Sequence, residues 1–221
     1  MTRKRVAILI SGRGSNMSAL IAAAEDPAFP AQIALVVSNR PEAAGLRTAA
    51  EHGIATAVVD HKTFGKDRER FEQELQAILE QHRIELVCLA GFMRILTPWL
   101  VSRWTDKMLN IHPALLPEFK GLDTHRRALE AGVHLHGATV HFVVPDMDSG
   151  PIIAQGVVSV LPDDTEEVLA RRVLAVEHRI YPLALKLVAE GRVRVEGDVG
   201  VIEGDVSDVD SAFLPGAARR N

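Results

Sequence analysis

Apolar residues rich in Val and Ile recur along the chain as short continuous runs separated by segments of helical spacing. The runs lie at residues 6–10, 33–37, 55–59 and 86–90. Strands that are buried on both faces have this continuous pattern, whereas half-buried strands alternate. The intervening helical segments span residues 16–25, 41–52 and 67–83. This alternation predicts an α/β fold with an open, mainly parallel twisted sheet and right-handed crossovers.

The second half of the chain adds further elements of both kinds. Strands are predicted near residues 107–111, 137–144 and 152–160. The segment 137–144 alternates in part and an Asp-Ser-Gly-Pro turn follows it, which predicts antiparallel pairing at the C-terminal edge of the sheet. Acidic residues open a long helix expected from Thr165 to about Ala189. We expect one domain over residues 1–203 and a poorly ordered tail over residues 204–221.

Composition narrows the classes of partner. The 221 residues include 25 Lys and Arg against 29 Asp and Glu. This slightly acidic balance lacks the basic surface that binds the phosphates of nucleic acid. No apolar stretch of the sequence approaches the roughly 18 residues that a membrane span needs. We therefore expect small-molecule partners and neither nucleic acid nor membrane, with a monomer and a homodimer equally open.

Cys88 is the only cysteine, and it lies in the apolar run ELVCLAG. A small buried side chain is expected there in preference to a reactive thiol. One cysteine excludes a disulfide within the chain, which is typical of the reducing cytoplasm. The apolar run near the N-terminus is too short for a signal peptide and is expected to form the first strand. The sequence therefore predicts a cytoplasmic protein.

Asn110 and His112 lie two positions apart, at the point where an apolar run ends. Residues i and i+2 of an extended chain point to the same face, so the carboxamide and the imidazole should project into one space. That pair suits a reaction in which negative charge builds on oxygen, because one group donates a fixed hydrogen bond and the other donates a proton. The alternative is a turn histidine satisfied by backbone.

Gly14, Ser15 and Asn16 belong to the turn SGRGSN, which follows the first strand and opens the first helix. Free backbone N–H groups and the helix dipole gather an anion at such a position. The turn is not a dinucleotide fingerprint, because Met17 stands where the third Gly would be needed. A single terminal phosphate and a merely tight turn both fit.

Two further segments leave predicted strands at the same sheet edge. In the turn at residues 146–151, either Asp146 or Asp148 could approach His112, although this composition is also ordinary for a turn. Residues 91–96 could flank a flat ligand or belong to core and loop. His134, His136 and His141 are the closest histidine group, but their spacing fits no zinc pattern, so no metal site is expected.

Taken in order, the segments SGRGSN, LAGFMRIL, NIHPALLP, HGATVHFV, DMDSGPIIAQ and EHRIYP closely resemble the phosphoribosylglycinamide formyltransferases. The resemblance covers about residues 5–195, and NIHP-x-LLP with the later Asp-x-Gly-Pro-like turn is specific to the wider group of 10-formyltetrahydrofolate-dependent formyltransferases. Ala114 stands where Ser is frequent in the family, and Ser149 stands where Gly is frequent.

The resemblance implies a Rossmann-like formyltransferase fold and formyl transfer from 10-formyltetrahydrofolate to the amine of glycinamide ribonucleotide, in purine synthesis. It implies that His112 donates a proton, that Asn110 donates a hydrogen bond to the oxyanion, and that Asp148 stabilises the charged form of His112. The folate is a cosubstrate, and no bound cofactor or metal is implied.

The binding residues are also implied by the resemblance alone. Gly14, Ser15 and Asn16 would hold the ribose phosphate, with Glu177 near the glycinamide end. Arg68 would meet the carboxylate tail of the folate. The pterin would lie against the residues of two segments, which are Met93, Arg94, Ile95 and Leu96, and Val144, Pro145, Asp146, Met147 and Asp148.

Two alternatives stay open beside this hypothesis. A formyltransferase that acts on another amine, such as methionyl-tRNA, would need a basic RNA-binding surface, which the charge balance opposes. A folate-binding module without turnover would leave the grouping of Asn110, His112 and Asp148 without a purpose. RNA binding distinguishes the first alternative, and turnover distinguishes the second.

Overall fold

The computed structural model describes residues 2–204 with side chains and the backbone of two short strands at 213–215 and 217–218. The chain divides into two compact units, residues Met1–Asn110 and Ile111–Asn221. Strand β5 runs across this division. Each unit has its own arrangement of strands and helices.

The first unit alternates strands and helices along the chain. Its elements are β1 (Lys4–Ile10), α1 (Ser15–Ala24), β2 (Ala31–Ser38), α2 (Ala44–Glu51), β3 (Ala55–Val58), a 3₁₀ turn (His61–Phe64), α3 (Arg68–Gln81), β4 (Leu86–Leu89), α4 (Pro98–Val101), a second 3₁₀ turn (Ser102–Trp104) and the first part of β5 (Met108–His112).

All strand pairs in the first unit are parallel. Central strand β1 lies between β2 and β4, β3 pairs with β2, and β5 pairs with β4. The aliphatic segment of β1 from Val6 to Ile10 is fully buried, as expected for a strand covered on both faces. Because the strands are parallel, the loops after β1, β2 and β4 emerge at one sheet edge.

Local sequence explains where α3 begins and which face it buries. The Asp67 carboxylate accepts a hydrogen bond from Arg70 N at 3.0 Å and so caps the helix start. Phe71, Leu75 and Leu79 recur at intervals of four and are all buried. The helical spacing read in residues 67–83 is therefore confirmed.

The second unit is built around antiparallel pairing and one long helix. Its elements are the end of β5, α5 (Thr124–Glu130), β6 (Leu135–Phe142), β7 (Ile152–Ser159), α6 (Glu166–Ala189), β8 (Val193–Glu196), β9 (Val199–Ile202), β10 (Phe213–Pro215) and β11 (Ala217–Ala218). Strand β7 pairs antiparallel with β6 and with β10, and β8, β9 and β11 form a small separate sheet.

Helix α6 packs on β6 and β7 and carries Pro182 in its interior. Its N-cap is Thr165, whose hydroxyl oxygen accepts from Val168 N at 3.3 Å, and Glu166 and Glu167 occupy the first turn. Acidic side chains at this end interact favourably with the helix dipole, so the predicted start at Thr165 is confirmed.

The predicted fold class is confirmed: the chain is α/β, with a mostly parallel sheet and antiparallel strands toward the C-terminal edge. The predicted domain over residues 1–203 and the predicted disorder of the tail both stay predictions, because most of residues 204–221 lies outside the described part of the chain. Among the described helices, none is long and apolar enough to cross a membrane.

Candidate active site

His112 ends strand β5, and Asn110 lies two residues before it on the same strand. The strand is buried apart from Asn110, which is partly exposed, and His112 is 5% exposed. Both side chains leave the strand on the same face, because successive residues of an extended chain alternate. The strand that the sequence predicted here is present, and the shared role of the two side chains stays a prediction.

Asp148 is brought close to His112 by the turn between β6 and β7. Its Oδ2 atom lies 3.4 Å from His112 Nδ1, and its side chain is 11% exposed. Asp148 itself adopts a positive φ of 50°, which few residues other than Gly, Asn and Asp tolerate. The two side chains therefore form a close pair of carboxylate and imidazole.

His141 approaches the same carboxylate from the end of β6. Its Nε2 atom lies 3.9 Å from Asp148 Oδ1, and its Nδ1 atom lies 2.8 Å from Phe142 O. Burial lowers the pKa of His141, and the neighbouring Asp148 only partly opposes this effect. His141 was considered in the sequence only as a possible metal ligand, because nothing along the chain indicates its nearness to Asp148.

The loop after β5 supplies backbone groups to both members of the pair. The Nε2 atom of His112 lies 3.0 Å from Phe119 O, and Gly121 N donates to Asp148 Oδ2 at 2.9 Å. Phe119 and Gly121 both have positive φ. The two ring nitrogens of His112 therefore face different partners, the Phe119 carbonyl at Nε2 and the Asp148 carboxylate at Nδ1.

One side-chain contact joins this loop to the turn that carries Asp148. Lys120 Nζ donates to Ser149 Oγ at 2.7 Å, and that hydroxyl donates to Met147 O at 3.0 Å. Ser149 is the position where the family frequently has Gly, so the departure noted in the sequence has a local consequence. It provides an acceptor for Lys120.

Two further histidines lie beneath the loop. The ring centroids of His125 and His136 are 5.4 Å apart, and His136 also meets the Phe119 ring edge to face at 5.8 Å. Burial, with repulsion from His125 and His112, lowers the pKa of His136 to about 4. Burial also lowers the pKa of His125. Both rings are therefore neutral at pH 7.

The remaining predicted residues of the second unit differ in exposure. Glu177 is 7% exposed and lies on α6. Val144 is half-buried, Pro145 and Asp146 are exposed, and Met147 is 54% exposed. The segment after β6 therefore presents apolar side chains beside a carboxylate that is itself mostly covered.

In the first unit, the turn after β1 leads directly into α1. Gly14 occupies the N-cap of α1 with φ 72° and ψ 44°, a left-handed conformation in which glycine is unstrained. A Cβ atom there would also lie 3.2 Å from Met17 Cε. Ser15 is exposed and Asn16 is 8% exposed, both in the first turn of the helix.

The segment after β4 presents two large apolar side chains to solvent. Met93 is 61% exposed and Ile95 is 64% exposed, whereas Leu96 is 7% exposed. Arg68 donates to Ile95 O, so its guanidinium lies against this segment. Arg94 stacks over the Phe71 ring at 4.7 Å from its centroid, and burial with repulsion from Arg68 lowers its pKa.

Within the described residues, no group of three or more His, Cys, Asp or Glu side chains could hold a metal ion. The chemistry offered by the second unit is instead a carboxylate and imidazole pair with fixed backbone partners. Such a pair transfers protons and stabilises developing charge.

Comparisons with known proteins identify the family of the chain. A family model described as formyl transferase matches residues 4–185. Trifunctional purine biosynthetic protein adenosine-3 of Gallus gallus is 50% identical over 90% of this chain, which spans only 20% of that protein. Phosphoribosylglycinamide formyltransferase of Haemophilus influenzae is 41% identical over 91% of this chain and 94% of its own length.

A solved structure gives the same result for the fold. The crystal structure of glycinamide ribonucleotide transformylase 1 from Symbiobacterium toebii matches with a TM-score of 0.87 at 43% identity, covering 90% of this chain and 93% of that chain. Sequence and fold therefore agree over nearly the whole of both chains. The chain belongs to the formyl transferase family, among the phosphoribosylglycinamide formyltransferases.

Proposed function

We propose that this chain transfers the formyl group of 10-formyltetrahydrofolate to the amine of glycinamide ribonucleotide, a step of purine biosynthesis. The observation that supports this most directly is the pair of His112 and Asp148, whose facing atoms are 3.4 Å apart in a chain of the formyl transferase family. Both substrates are small molecules, and neither the pair nor its partners require a metal.

The reaction begins when the neutral amine attacks the formyl carbon and forms a tetrahedral intermediate. Asn110 donates a hydrogen bond to the oxyanion, and a preorganised donor of this kind contributes roughly 3–4 kcal/mol to the transition state. Collapse of the intermediate breaks the bond to N10 of the folate. His112 supplies the proton that N10 gains and recovers the proton that the amine loses, so the charges balance.

Asp148 stabilises the imidazolium form that this proton transfer needs. In the structure the Nε2 atom of His112 faces the Phe119 carbonyl at 3.0 Å, so donation to the substrate exchanges that carbonyl for the reacting atoms. The positive φ values at Phe119 and Asp148, neither of which is a glycine, place strained backbone beside the imidazole, as is common in catalytic sites.

We assign the substrate contacts residue by residue. Gly14, Ser15 and Asn16 bind the phosphate, because they open a helix with small side chains and backbone N–H groups. Glu177 contacts the glycinamide amine. Residues 93–96 and 144–148 contact the pterin, and Arg68 exchanges Ile95 O for the folate tail carboxylate.

We also propose that the chain acts in the cytoplasm. Cys88 is buried, and no disulfide is needed for folding, which suits the cytoplasm. The net charge of −4 opposes a nucleic-acid substrate. The protein acts as a monomer or a homodimer.

Mixing the purified chain with 10-formyltetrahydrofolate and glycinamide ribonucleotide tests the proposal. Mass spectrometry of the nucleotide product is expected to show the added formyl group, with tetrahydrofolate formed in equal amount. Methionyl-tRNA in place of the ribonucleotide is the matched acceptor control and should stay unformylated. Hydrolysis of the donor without acceptor formylation would contradict the assigned reaction.

A further inference from the structure

Residues 93–97 of the first unit combine exposed apolar side chains with a backbone that other side chains hold. Met93 and Ile95 are 61% and 64% exposed, and they lie two residues apart on this segment. A loop of this kind normally moves freely. Here its two ends and its middle are each bound by a side chain from elsewhere in the unit.

Ser11 holds the first end of the segment. Its hydroxyl oxygen accepts from Met93 N at 2.8 Å and donates to Asn39 Oδ1 at 2.6 Å. Ser11 and Asn39 are 6% and 2% exposed. In the chain without folate, Arg68 also holds the middle by donating to Ile95 O.

Glu72 holds the other end, and it does so with a buried charge. The residue lies on α3 and is 1% exposed. Its carboxylate accepts from Thr97 N at 2.7 Å and also from Thr97 Oγ1. Thr97 is the N-cap of α4 and follows the exposed segment directly.

A buried carboxylate is an expensive means of fixing a loop end, because its charge loses the stabilisation that water provides. Two hydrogen bonds to the charged oxygens and the nearby positive charge of Arg94 offset that cost. The contacts of Ser11 and Glu72 fix the backbone path of the segment between them. Met93 and Ile95 are therefore held in defined positions.

We propose that Glu72 is a positioning residue for the folate, acting through Thr97 on the segment that presents Met93 and Ile95. This proposal rests on the proposed function, in which residues 93–96 contact the pterin. Glu72 itself touches no reacting atom. Its loss should weaken the folate contact while leaving the chemical step and the ribonucleotide contact unchanged.

Glu72→Leu removes both acceptor oxygens at similar volume. Its KM for 10-formyltetrahydrofolate is expected to rise about tenfold, because loss of a supporting contact misplaces a binding segment. The value of kcat and the KM for the ribonucleotide should change less than about twofold. Glu80→Leu, at an exposed position of the same helix, is the matched control and should behave as wild type.

Glu72→Gln provides the rescue. The amide keeps one acceptor for Thr97 N and can donate to Thr97 Oγ1, so the KM for the folate should return to within about threefold of wild type. Thr97→Val removes the hydroxyl contact alone and should raise the KM for the folate by a smaller factor. The double variant Thr97→Val with Glu72→Leu should have the same KM for the folate as Glu72→Leu alone.

Calorimetry of 10-formyltetrahydrofolate binding, measured without the ribonucleotide, separates this proposal from the proposed function. If wild type bound the folate but transferred no formyl group, the function would fail, and the weaker folate binding of Glu72→Leu would still support positioning. A folded Glu72→Leu with wild-type folate affinity would overturn the positioning role. If that variant did not fold, Thr97→Val with unchanged affinity would overturn it equally.

Discussion

At the scale of single residues, the groups that face the two ring nitrogens of His112 determine how the ring is oriented. Asp148 faces Nδ1 at 3.4 Å, and the Phe119 carbonyl faces Nε2 at 3.0 Å. The ring is therefore oriented by a carboxylate on one side and by backbone on the other. Asn110 lies two residues earlier on the same strand, which directs its Cβ atom toward the same face.

His112→Ala should lower kcat by about 10²-fold or more, since it removes the proton donor from a preorganised site. Circular dichroism and the unfolding midpoint in urea should stay close to wild type, because the ring belongs to the site and not to the main apolar core. Ser149→Ala, which loses only an exposed contact of the same turn, serves as the control. Near wild-type turnover in folded His112→Ala would show that another group moves the proton.

His136 predicts a pH dependence of stability. Its pKa is about 4 in the folded chain and 6.5 as a model value, so between these pH values the unfolded state binds more protons. The free energy of unfolding should therefore fall as the pH drops from 6.5 to 4, by up to roughly 3 kcal/mol, and this loss should level off below 4.

Urea unfolding of wild type and His136→Phe across this pH range measures the effect. The variant should lose that part of the acid sensitivity, with exposed His134→Phe as the control for removing one imidazole. Parallel curves for wild type and His136→Phe would show that His136 does not set the pH dependence.

Some of these residues could be predicted from the sequence, and others could not, for physical reasons. Asn110 and His112 share a strand, so their parity could be worked out from spacing alone. Asp148 lies 3.4 Å from His112 although 36 positions separate them, and spacing holds no information about that approach. Glu72 was missed because glutamate on a helix is usually exposed, and only the fold reveals its burial.

At the scale of elements, the end of the β6 and β7 pair determines where Asp148 lies. A Cβ atom on Gly150 would lie 1.8 Å from Phe142 O, a contact that no rearrangement of a side chain relieves. Phe142 N also donates to Pro151 O at 2.9 Å, so the two strands are close at this point. The turn that carries Asp148 is therefore closed by glycine.

Gly150→Ala should force the strand ends apart, with a loss of about 1–3 kcal/mol in the free energy of unfolding. A displacement of Asp148 by about 1 Å should lower kcat at least tenfold. Thermal unfolding and steady-state kinetics on the same preparation test both effects. If kcat held at the wild-type value while stability fell, the position of Asp148 would not matter to the reaction.

Helix α1 makes a second element-scale prediction. If its first turn binds the ribose phosphate, glycinamide riboside should bind much more weakly than the ribotide. Asn16→Asp should weaken ribotide binding through charge repulsion but leave riboside and folate binding nearly unchanged, while the helix tolerates an acidic first turn. Calorimetry with all three ligands gives the comparison, and equal affinity of wild type for riboside and ribotide would remove the phosphate assignment.

Elements were predictable where burial imposed a regular pattern. Strands β1 and β2 and helix α3 were recognisable because continuous apolar runs or a period near four survive in their sequences. The short helix α5, with only Thr124 and Ala128 buried, is too brief for a periodic signal. The β8 and β9 pair was missed for the same reason.

At the scale of the whole molecule, the charge balance determines how the substrates meet the protein. The two proposed substrates carry negative groups, a phosphate on one and carboxylates on the other, and the chain has a formal net charge of −4. Long-range attraction therefore does not assist their approach. Local donors, such as the α1 turn and Arg68, must provide the attraction at short range.

Because Cys88 is buried, the rate at which its thiol is modified reports how often the surrounding strands separate. The thiol lies in β4 between β1 and β5 at 0% exposure, and it is the only thiol of the chain. A disulfide reagent such as dithiobis(nitrobenzoate) can modify it only after those strands separate, so modification should be about a thousandfold or more slower than in urea. Rapid modification of the native chain would mean that β4 opens locally. A modification rate that falls when ribonucleotide is added to saturation would show that binding of the ribonucleotide stabilises these strands.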